Sequence, residues 1–316
     1  MRILVTGGAG FIGSHVVDAY LAAGHEVVVA DDLSNGHRAN VQPGAEFYPL
    51  GLHSPNLSEV FRRQGFDIVN HHAAQVDVRR SVADPMADAA VNILGTIRLL
   101  ELCRRHGARG VIFSSSGGAI YSDRAPIPSP EDAPARPASP YGIAKLAGER
   151  YLDFYASVHR IPAVILRYAN VYGPRQDPGG EAGVVAIFCQ RLLRSETPIV
   201  YGDGEQTRDF VYVGDVAAAN LRALDLLARP AAAGDGPAVL NIGTGRETTV
   251  NTLLVRLAAL AGAVSAPRHA PPRAGEQRRS AVNPTRARAT MGWAPTVPLA
   301  EGLSRTLDWF KKSLWP

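Results

Sequence analysis

The sequence contains little cysteine: only Cys103 and Cys189 in a chain of 316 residues. Two isolated cysteines do not make a disulfide framework, so we expect both to be small buried side chains in a reducing compartment. Long hydrophobic runs are missing too. No run approaches the roughly 20 apolar residues that span a bilayer, and Ile3-Leu4-Val5 is too short for the core of a signal peptide. We therefore expect a cytoplasmic protein with no membrane partner.

The chain also lacks a concentration of charge of one sign. Its net charge is +4, and prolines and polar residues interrupt its densest arginine group, residues 273–288. A nucleic-acid binder should gather its basic residues on one face, so we interpret this segment as an anion pocket or solvated surface and expect no nucleic-acid partner. The remaining composition, with 46% hydrophobic and 20% charged residues, is ordinary for a globular protein of one or two domains.

Short β-branched runs alternate with amphipathic stretches in the first half of the sequence. The predicted strands are Ile3–Thr6, Glu26–Ala30, Glu46–Tyr48, Ile68–His71, Gly110–Ser114 and Ala163–Arg167. The predicted helices between them are Phe11–Ala23, Asn56–Gln64, Ala87–His106 and Tyr141–His159. This alternation is typical of βαβ units, and it predicts an α/β fold with a doubly wound parallel sheet of the Rossmann type over residues 1–170.

Beyond residue 170 the pattern is looser. Helices are predicted at Val184–Arg194, Val216–Leu227, Val250–Ala261 and Leu299–Lys312, and strands at Phe210–Val213 and Val239–Ile242. These elements do not form a clean sheet pattern of their own. We therefore expect residues 171–316 to form a smaller mixed α/β lobe, with some segments returning to the first domain.

A glycine-rich string, VTGGAGFIGSH, follows the first predicted strand and opens the first predicted helix. Gly7, Gly10 and Gly13 would provide the tight turn, the close approach to a pyrophosphate and the close helix–strand packing of a dinucleotide-binding loop. The second strand is followed by Asp31 and Asp32, where a carboxylate binds the adenosine ribose and repels a 2′-phosphate. The pattern predicts NAD as the cofactor, with Asp31 bound to the adenosine ribose. Asp32 either contributes to the same cofactor site or caps the following turn.

Tyr141 and Lys145 are four residues apart on a predicted helix, so their side chains share one face. A phenol is neutral at pH 7, but a nearby ammonium and a positive nicotinamide ring would both favour phenolate. Lowering its pKa by about 3 units takes roughly 4 kcal/mol. Ser114–Ser116 follow the fifth strand at the edge where ligands bind in such sheets. The alternative interpretations are that Tyr141 and Lys145 form an ordinary pair on the helix surface, and that Ser114–Ser116 are only a polar strand end.

Taken together, these residues resemble the extended short-chain dehydrogenase/reductase family, most closely its UDP-glucose 4-epimerase branch. The resemblance covers nearly the whole chain and rests on an ordered set of motifs: VTGGAGFIGSH, ADDLSNG, HHAAQ, VNILGT, FSSSGGAIY, SPYGIAK, LRYANVYGPRQ, YGDGEQTRDFVYVGDV and LNIGTG. It implies an NAD-dependent isomerase that inverts carbon 4 of a UDP-hexose by transient oxidation. It also implies that the second lobe binds the UDP-sugar.

The resemblance assigns roles position by position. It makes Tyr141 the acid/base, Lys145 its electrostatic partner and nicotinamide-ribose ligand, and Ser116 the contact of the reacting hydroxyl. The further residues that it implies for the cofactor are Phe11, Ile12, Leu33, Ser34, Asn35, Gly36, Ala73, Ala74, Gln75, Asn92, Ser114 and Tyr168. Those that it implies for the UDP-sugar are Gly117, Gly118, Asn170, Val184, Val185, Val200, Tyr201, Arg208, Arg273 and Glu276. It implies no metal.

Three positions bear on adenine binding and on the choice of reaction and sugar. Gly51 stands where epimerases usually place an Asp for the adenine amine. Gly117 stands where the related 4,6-dehydratases carry an acid, which favours epimerisation because water elimination then lacks its proton donor. Ser280 matches the family's pocket gate, and its small side chain leaves room for an N-acetyl group, so we expect activity on N-acetylhexosamines as well.

Two other functions stay open. UDP-glucuronate 4-epimerisation is one, because Ser116, Gly117 and Gly118 would also present donors to a carboxylate. A non-catalytic NAD-binding scaffold is the other, because a fold alone does not fix a function.

The resemblance also implies a homodimer formed through the helices predicted at Ala87–His106 and Tyr141–His159. An apolar stripe on the first of these helices would serve such an interface, although core packing would require the same stripe. Its residues are Leu99, Leu100, Leu102 and Cys103.

Overall fold

The computed structural model describes residues 1–179, 183–229, 236–263, 266–272 and 277–314. Its strands follow the predicted alternation with helices. In chain order they are β1 (Arg2–Thr6), β2 (Glu26–Ala30), β3 (Glu46–Tyr48), β4 (Ile68–His71), β5 (Gly110–Ser116), β6 (Ala163–Tyr168), β7 (Asn170–Tyr172), β8 (Ile199–Tyr201), β9 (Thr207–Arg208), β10 (Phe210–Tyr212), β11 (Ala238–Ile242), β12 (Thr248–Thr249) and β13 (Arg268–Ala270).

The helices cover the amphipathic stretches of the sequence. They are α1 (Phe11–Ala22), α2 (Leu57–Gln64), α3 (Val78–Ala83), α4 (Pro85–Ala89), α5 (Gly95–His106), α6 (Gly117–Ile120), α7 (Pro140–His159), α8 (Val184–Leu193), α9 (Val213–Leu227), α10 (Val250–Ala261), α11 (Thr285–Met291) and α12 (Leu299–Leu314). A 3₁₀ turn at Arg38–Asn40 and a π-helical turn at Ala90–Leu94 complete the helical segments of the described residues.

Seven strands form one parallel sheet in the order β11-β6-β5-β4-β1-β2-β3. The chain builds from β1 to β3 on one side and then crosses back to build β4, β5 and β6 on the other. Ligands of such sheets bind outside the carboxyl ends of the strands at this reversal, here between β1 and β4. The predicted doubly wound α/β fold is confirmed.

Apolar residues on both faces of the strands explain why the sheet is covered on both sides. Ile3 and Val5 of β1 lie in one hydrophobic cluster and Leu4 lies in the other, all fully buried. Because successive side chains of a strand point to opposite faces, an uninterrupted apolar run needs helices on both. Burial of each such side chain stabilises the fold by roughly 1.5–3 kcal/mol.

Residues of the second half form a third hydrophobic cluster, to which Val185, Phe188, Leu253 and Leu307 contribute from α8, α10 and α12. Three two-stranded sheets, β10-β7, β12-β9 and β13-β8, belong to this part of the chain. β11 leaves it to pair with β6 at the edge of the main sheet, and α9 packs against α1. The boundary at residue 170 and the role of the lobe in binding substrate stay predictions.

Most predicted elements begin and end within one to three residues of their observed bounds, and two of the differences bear on the site. The helix predicted over Ala87–His106 is interrupted by the π-helical turn, which turns Asn92 into the protein, where it is 5% exposed. β5 continues through Ser116 because its last three residues pair with Leu166–Tyr168 of β6. The short strands β7, β8, β9, β12 and β13 have only two or three residues, too few to show a two-residue periodicity.

The apolar stripe proposed for a dimer interface belongs to the chain's own core. Its members are at most 6% exposed and pack in the cluster beneath α5; they are Leu99, Leu100, Leu102 and Cys103. The interpretation of this stripe as a dimer interface is therefore wrong, and its interpretation as core packing is confirmed. Both cysteines are free and fully buried, and burial raises the pKa of the Cys103 thiol to about 12.

A different apolar stripe faces outward on α7. Ile143, Tyr151, Phe154 and Val158 are 54%, 38%, 48% and 58% exposed, respectively. They recur at helical spacing, so they lie along one side of the helix.

Candidate active site

The loop between β1 and α1 leaves no room for side chains. Gly7 has a φ of +70°, and a Cβ there would lie 2.6 Å from the backbone nitrogen of Ala73. A Cβ on Gly13 would lie 2.2 Å from the Gly7 carbonyl oxygen. Gly10 is the N-cap of α1, and no side chain of the described residues caps its N–H groups. The loop is thus a bare backbone cradle at a positive helix end, as pyrophosphate binding requires.

Asp31 lies beside this cradle, at the carboxyl end of β2. Its Oδ2 accepts a hydrogen bond from the Ala9 N–H at 2.9 Å and its Oδ1 one from the Leu33 N–H at 2.8 Å. Burial raises the pKa of this carboxyl, while hydrogen bonds from backbone N–H groups lower it. The carboxylate is held at the place where the sequence predicts contact with an adenosine ribose.

The residues after Asp31 form an exposed turn. Asp32 Oδ1 accepts a hydrogen bond from the Ser34 N–H at 3.0 Å, so Asp32 caps this turn, as one of its two predicted roles requires. Leu33, Ser34 and Asn35 are exposed, and Gly36 lies close to the backbone of Ala9.

The structure also shows what a side chain at Gly51 would meet. A Cβ there would lie 2.9 Å from Asp32 Oδ2. The Asp usual in epimerases would therefore bring a second carboxylate against that of Asp32, which like-charge repulsion disfavours.

The segment after β4 forms the opposite wall of the cradle. Ala73 and Ala74 are half-buried, and the Ala73 N–H donates to Thr6 Oγ1 at 3.3 Å. Gln75 and Asn92 are buried and bond each other: the Gln75 N–H donates to Asn92 Oδ1, and Asn92 Nδ2 donates to the Gln75 carbonyl, both at 2.9 Å. These two side chains are engaged within the protein and shape the groove, whereas their contact with a cofactor stays a prediction.

Tyr141, Lys145 and Ser116 converge near the carboxyl end of β5. The N-cap of α7 is Ser139, whose Oγ accepts the Gly142 N–H at 3.2 Å. This start places Tyr141 in the first turn and Lys145 one turn later. Lys145 Nζ donates to the Ser114 carbonyl at 2.8 Å and lies 5.8 Å from the centre of the Tyr141 ring. The Ser116 side chain lies beside the Tyr141 hydroxyl, close enough to lower its pKa. The predicted pair therefore shares one face with a serine beside it.

The protein environment shifts both titratable groups of this pair. Burial and the negative charge of Asp88 raise the pKa of Tyr141 to about 12, and the nearby Ser116 side chain lowers it. Burial lowers the pKa of Lys145 to about 8, while Asp88 and Glu149 raise it. The sequence led us to expect a phenol pKa lowered by Lys145 and a nicotinamide ring together. Without the cofactor this expectation is not met, because removing the phenol from water raises its pKa.

A buried ion pair that the sequence did not predict lies behind the serine strand. Arg167 of β6 donates two hydrogen bonds to Glu149 of α7, Nε to Oε1 at 2.9 Å and Nη2 to Oε2 at 2.6 Å. Ser115 Oγ donates to the same Oε1 at 2.6 Å. These contacts fix β5 against α7. The available signal was an arginine inside an otherwise apolar strand, since a buried charge requires a partner.

The two glycines after Ser116 have different surroundings. A Cβ on Gly117 would lie 2.6 Å from Val282 Cγ1 and 3.3 Å from the Tyr168 carbonyl oxygen. A Cβ on Gly118 would meet only Asn170 Oδ1, at 3.8 Å. Gly118 therefore faces the open side near Asn170, whereas position 117 is closed to any side chain unless Val282 moves.

Several predicted side chains lie in the interior. Tyr168 is 4% exposed, its hydroxyl donates to Asn220 Oδ1 at 3.2 Å, and its ring stacks on His72. Val185 and Val200 are at most 1% exposed and belong to the third hydrophobic cluster. These side chains pack in the protein interior, and their contacts with cofactor or substrate stay predictions.

The remaining predicted substrate contacts lie at the surface of the second lobe or beyond the described ranges. Val184, Tyr201, Arg208 and Ser280 are half-buried, and Arg208 Nη1 donates to the Thr207 carbonyl at 2.8 Å. Two further predicted contacts, Arg273 and Glu276, lie outside the described residues.

The described ranges hold neither a metal-binding cluster nor a membrane-spanning helix. They contain no group of three or more His, Cys, Asp or Glu side chains placed to hold a metal ion. Nor do they contain a helix with the length and apolar character needed to cross a membrane.

Comparison with known proteins gives consistent matches over most of the chain. The model of the NAD dependent epimerase/dehydratase family matches residues 3–243. A UDP-glucose 4-epimerase from Mycolicibacterium smegmatis is 45% identical over 316 residues, which cover 98% of this chain and 99% of the relative.

Solved structures agree with this match. The crystal structure of a UDP-glucose 4-epimerase with UDP-glucose from Thermotoga maritima is similar with a TM-score of 0.95 and 47% identity, covering 99% of this chain and 100% of that one. The Thermus thermophilus UDP-glucose 4-epimerase in complex with NAD is similar with a TM-score of 0.90 and 44% identity, covering 98% of this chain and 99% of that one.

Proposed function

The chain belongs to the NAD dependent epimerase/dehydratase family, and we propose from this premise that it is an isomerase that interconverts UDP-glucose and UDP-galactose by transient oxidation at carbon 4. The observation that carries the proposal is the convergence of Tyr141, Lys145 and Ser116 beside a bare glycine cradle. Relatives at 45% and 47% identity that carry the UDP-glucose 4-epimerase name support it.

NAD is the cofactor that fits these residues. The backbone of Gly7, Gly10 and Gly13 would hold its pyrophosphate and Asp31 its adenosine ribose, with the exposed turn after Asp31 beside it. A free carboxylate at this place disfavours the 2′-phosphate of NADP. When bound, NAD supplies a nicotinamide ring that takes a hydride from carbon 4 and returns it to either face of the sugar.

The chain's own residues move and hold the proton of the reacting hydroxyl. Tyr141 takes this proton through its phenol oxygen and gives it back, acting as general base and then as general acid. Ser116, which lies beside the same phenol, would orient the hydroxyl. Lys145 adds a positive charge that favours phenolate and is held in place by the Ser114 carbonyl.

The closed space at Gly117 favours epimerisation over dehydration. Loss of water from a 4-keto sugar needs an acid beside the serine, and a side chain here would meet Val282 at 2.6 Å. With no acid at this place, water elimination lacks its proton donor, and this favours return of the hydride.

We expect the Tyr141→Phe variant to lose at least about 100-fold in kcat, because the general base is removed while the cradle for NAD stays intact. The measurement is conversion of UDP-galactose to UDP-glucose at saturating NAD, with NAD binding followed by calorimetry in parallel.

Tyr151→Phe, on the exposed side of the same helix, is the matched control and should keep its activity. Loss of NAD binding in Tyr141→Phe, steady NADH release by the unmodified protein, or preferential turnover of UDP-glucuronate would contradict the proposal.

The second part of the proposal concerns sugar choice: we include UDP-N-acetylhexosamines among the substrates because Ser280 is small and half-buried. We expect Ser280→Tyr to reduce kcat/KM for UDP-N-acetylgalactosamine at least about tenfold more than for UDP-galactose, since overfilling a pocket costs roughly 1–3 kcal/mol.

Parallel rates on the two sugars measure this, and Ser280→Ala should leave their ratio unchanged. Equal losses on both sugars in Ser280→Tyr would mean that residue 280 does not gate the pocket.

The third part of the proposal is a homodimer through the outward stripe of α7, and we place this dimer in the cytoplasm, where two buried thiols stay reduced. Large apolar side chains on one exposed helix face mark an association surface. Met86 and Leu94, 83% and 60% exposed on the neighbouring α4 and π-helical turn, extend this face.

Phe154→Glu should convert the dimer to monomer, because a two-fold axis would bring paired charges into a dry interface. Sedimentation velocity measures the change in mass. Val255→Glu is the control: Val255 is also exposed, at 69%, but it lies on α10. A monomeric unmodified chain, or an unchanged mass for Phe154→Glu, would refute this assignment.

A further inference from the structure

Val282 is a buried side chain beside the carboxyl edge of the main sheet that the proposed reaction has not used. It comes late in the chain and is 1% exposed. With Tyr121 and Ala133 it forms a small hydrophobic cluster, separate from the three larger ones. Its place in the chain lies far from the strands that it meets, so its contacts indicate what it holds together.

The two methyl groups of Val282 fill the space behind two strand ends. Its Cγ1 lies 2.6 Å from where a Cβ on Gly117 would stand, directly after β5. Its Cγ2 lies 2.5 Å from where a Cβ on Gly243 would stand, directly after β11. The stiff χ1 of a β-branched residue keeps both methyls in these places. Val282 is therefore a wedge against the ends of β5 and β11.

Hydrogen bonds on both sides of Val282 fix the backbone of this wedge. The Ser129 N–H donates to the Ala281 carbonyl and the Asn283 N–H donates to the Ser129 carbonyl, both at 2.8 Å. These bonds belong to the parallel bridge between Ser129 and Val282. The Val282 N–H donates to Asp209 Oδ2 at 3.4 Å. Val282 must therefore break backbone hydrogen bonds to move away from the strand ends.

Asp209 connects the wedge to residues that are predicted to contact the substrate. It is 1% exposed and follows Arg208 directly in the chain. Its carboxylate also accepts the Thr244 N–H at 2.9 Å, which fixes the turn after β11. Its carbonyl accepts the Asn170 N–H at 2.9 Å. One buried residue thus holds the backbone at Arg208, Asn170 and Val282 together.

Contact of Val282 with Gly117 reaches the reacting end of the site. Gly117 follows Ser116 in the chain, and Gly118 opens towards Asn170. Because protein interiors are close-packed, the bulk of Val282 decides how far this backbone lies from the sugar pocket. A group misplaced by about 1 Å loses roughly 100-fold in rate. A small change behind Gly117 is therefore enough to disable Ser116.

We propose, on the basis of the proposed function, that Val282 is a positioning residue that sets the place of Ser116 relative to the reacting hydroxyl. At 1% exposure Val282 has no surface to offer the sugar, so it acts through its contact with Gly117. Its backbone bonds hold it in the same frame as the predicted substrate contacts. Val282 thus governs kcat and leaves binding of the nucleotide portion unchanged.

The test is a double-mutant cycle of Val282→Ala and Gly117→Ala. Val282→Ala should lower kcat for UDP-galactose at least about tenfold, while the Kd for UDP, measured by calorimetry, changes less than about twofold. Gly117→Ala brings a Cβ against Val282 Cγ1 and should lower kcat by a similar factor. In the double variant the new methyl occupies the vacated space, so we expect its kcat to exceed that of either single variant.

Val60→Ala is the matched control. It removes the same two methyls from a side chain on α2 that is 4% exposed and belongs to a different hydrophobic cluster. It should lower the melting temperature without a change in kcat. If Gly117→Ala does not fold, the double variant is compared with Val282→Ala alone and should still have the higher kcat.

Three results would overturn the proposal. In the first, the losses in kcat multiply in the double variant or, where only it and Val282→Ala fold, its kcat is no higher. In the second, Val282→Ala keeps the kcat of Val60→Ala, which would assign Val282 to core packing only. In the third, the Kd for UDP rises as much as kcat falls, which would place the effect at the nucleotide end.

A second measurement does not depend on epimerase activity. Melting temperatures of the proteins in the cycle, taken without substrate, report the contact itself: Gly117→Ala should lower the melting temperature more when Val282 is present than when it is alanine. An equal loss in both backgrounds would overturn the proposal. An unmodified chain that shows this coupling but does not interconvert the two sugars would refute the proposed function instead.

Discussion

One buried hydrogen bond, from Lys145 Nζ to the Ser114 carbonyl at 2.8 Å, ties α7 to the carboxyl end of β5. It joins the helix that carries Tyr141 to the strand that carries Ser116, at the edge of the sheet where ligands bind. The ion pair between Arg167 and Glu149 strengthens the same junction one turn further along α7. Because a buried ammonium is costly unless it is hydrogen-bonded, this geometry depends on the Ser114 carbonyl.

The second constraint is electrostatic. Burial and Asp88 raise the pKa of Tyr141 to about 12, so the chain alone keeps its proposed base protonated. A general base works best when its pKa lies near the working pH. In our account, the positive nicotinamide ring supplies the stabilisation of the Tyr141 phenolate that the protein lacks. The site therefore becomes basic only when oxidised cofactor is bound. This arrangement protects the site from acting on a hydroxyl when no hydride acceptor is present.

The features of this site that local sequence patterns encode could be predicted. The features that depend on contacts between different elements of the fold could not. Alternation of strands and helices predicted the sheet, and the spacing of Tyr141 and Lys145 predicted their shared face, because both are local patterns. The ion pair of Arg167 and Glu149 escaped notice because its two residues lie on different elements, β6 and α7, whose packing no local pattern shows. The stripe that includes Leu99 shows the complementary limit: helical periodicity identifies a buried face but not whether it meets the sheet or another subunit.

The most direct test of the central claim is the ionisation of Tyr141 measured in the same protein with and without oxidised NAD, with Tyr141→Phe as the spectroscopic blank. The account predicts that the pKa of Tyr141 falls from about 12 in the cofactor-free protein towards neutrality when NAD binds. Reduced NADH, whose nicotinamide ring is uncharged, should leave it high. A pKa of Tyr141 that is the same in all three states would contradict the account.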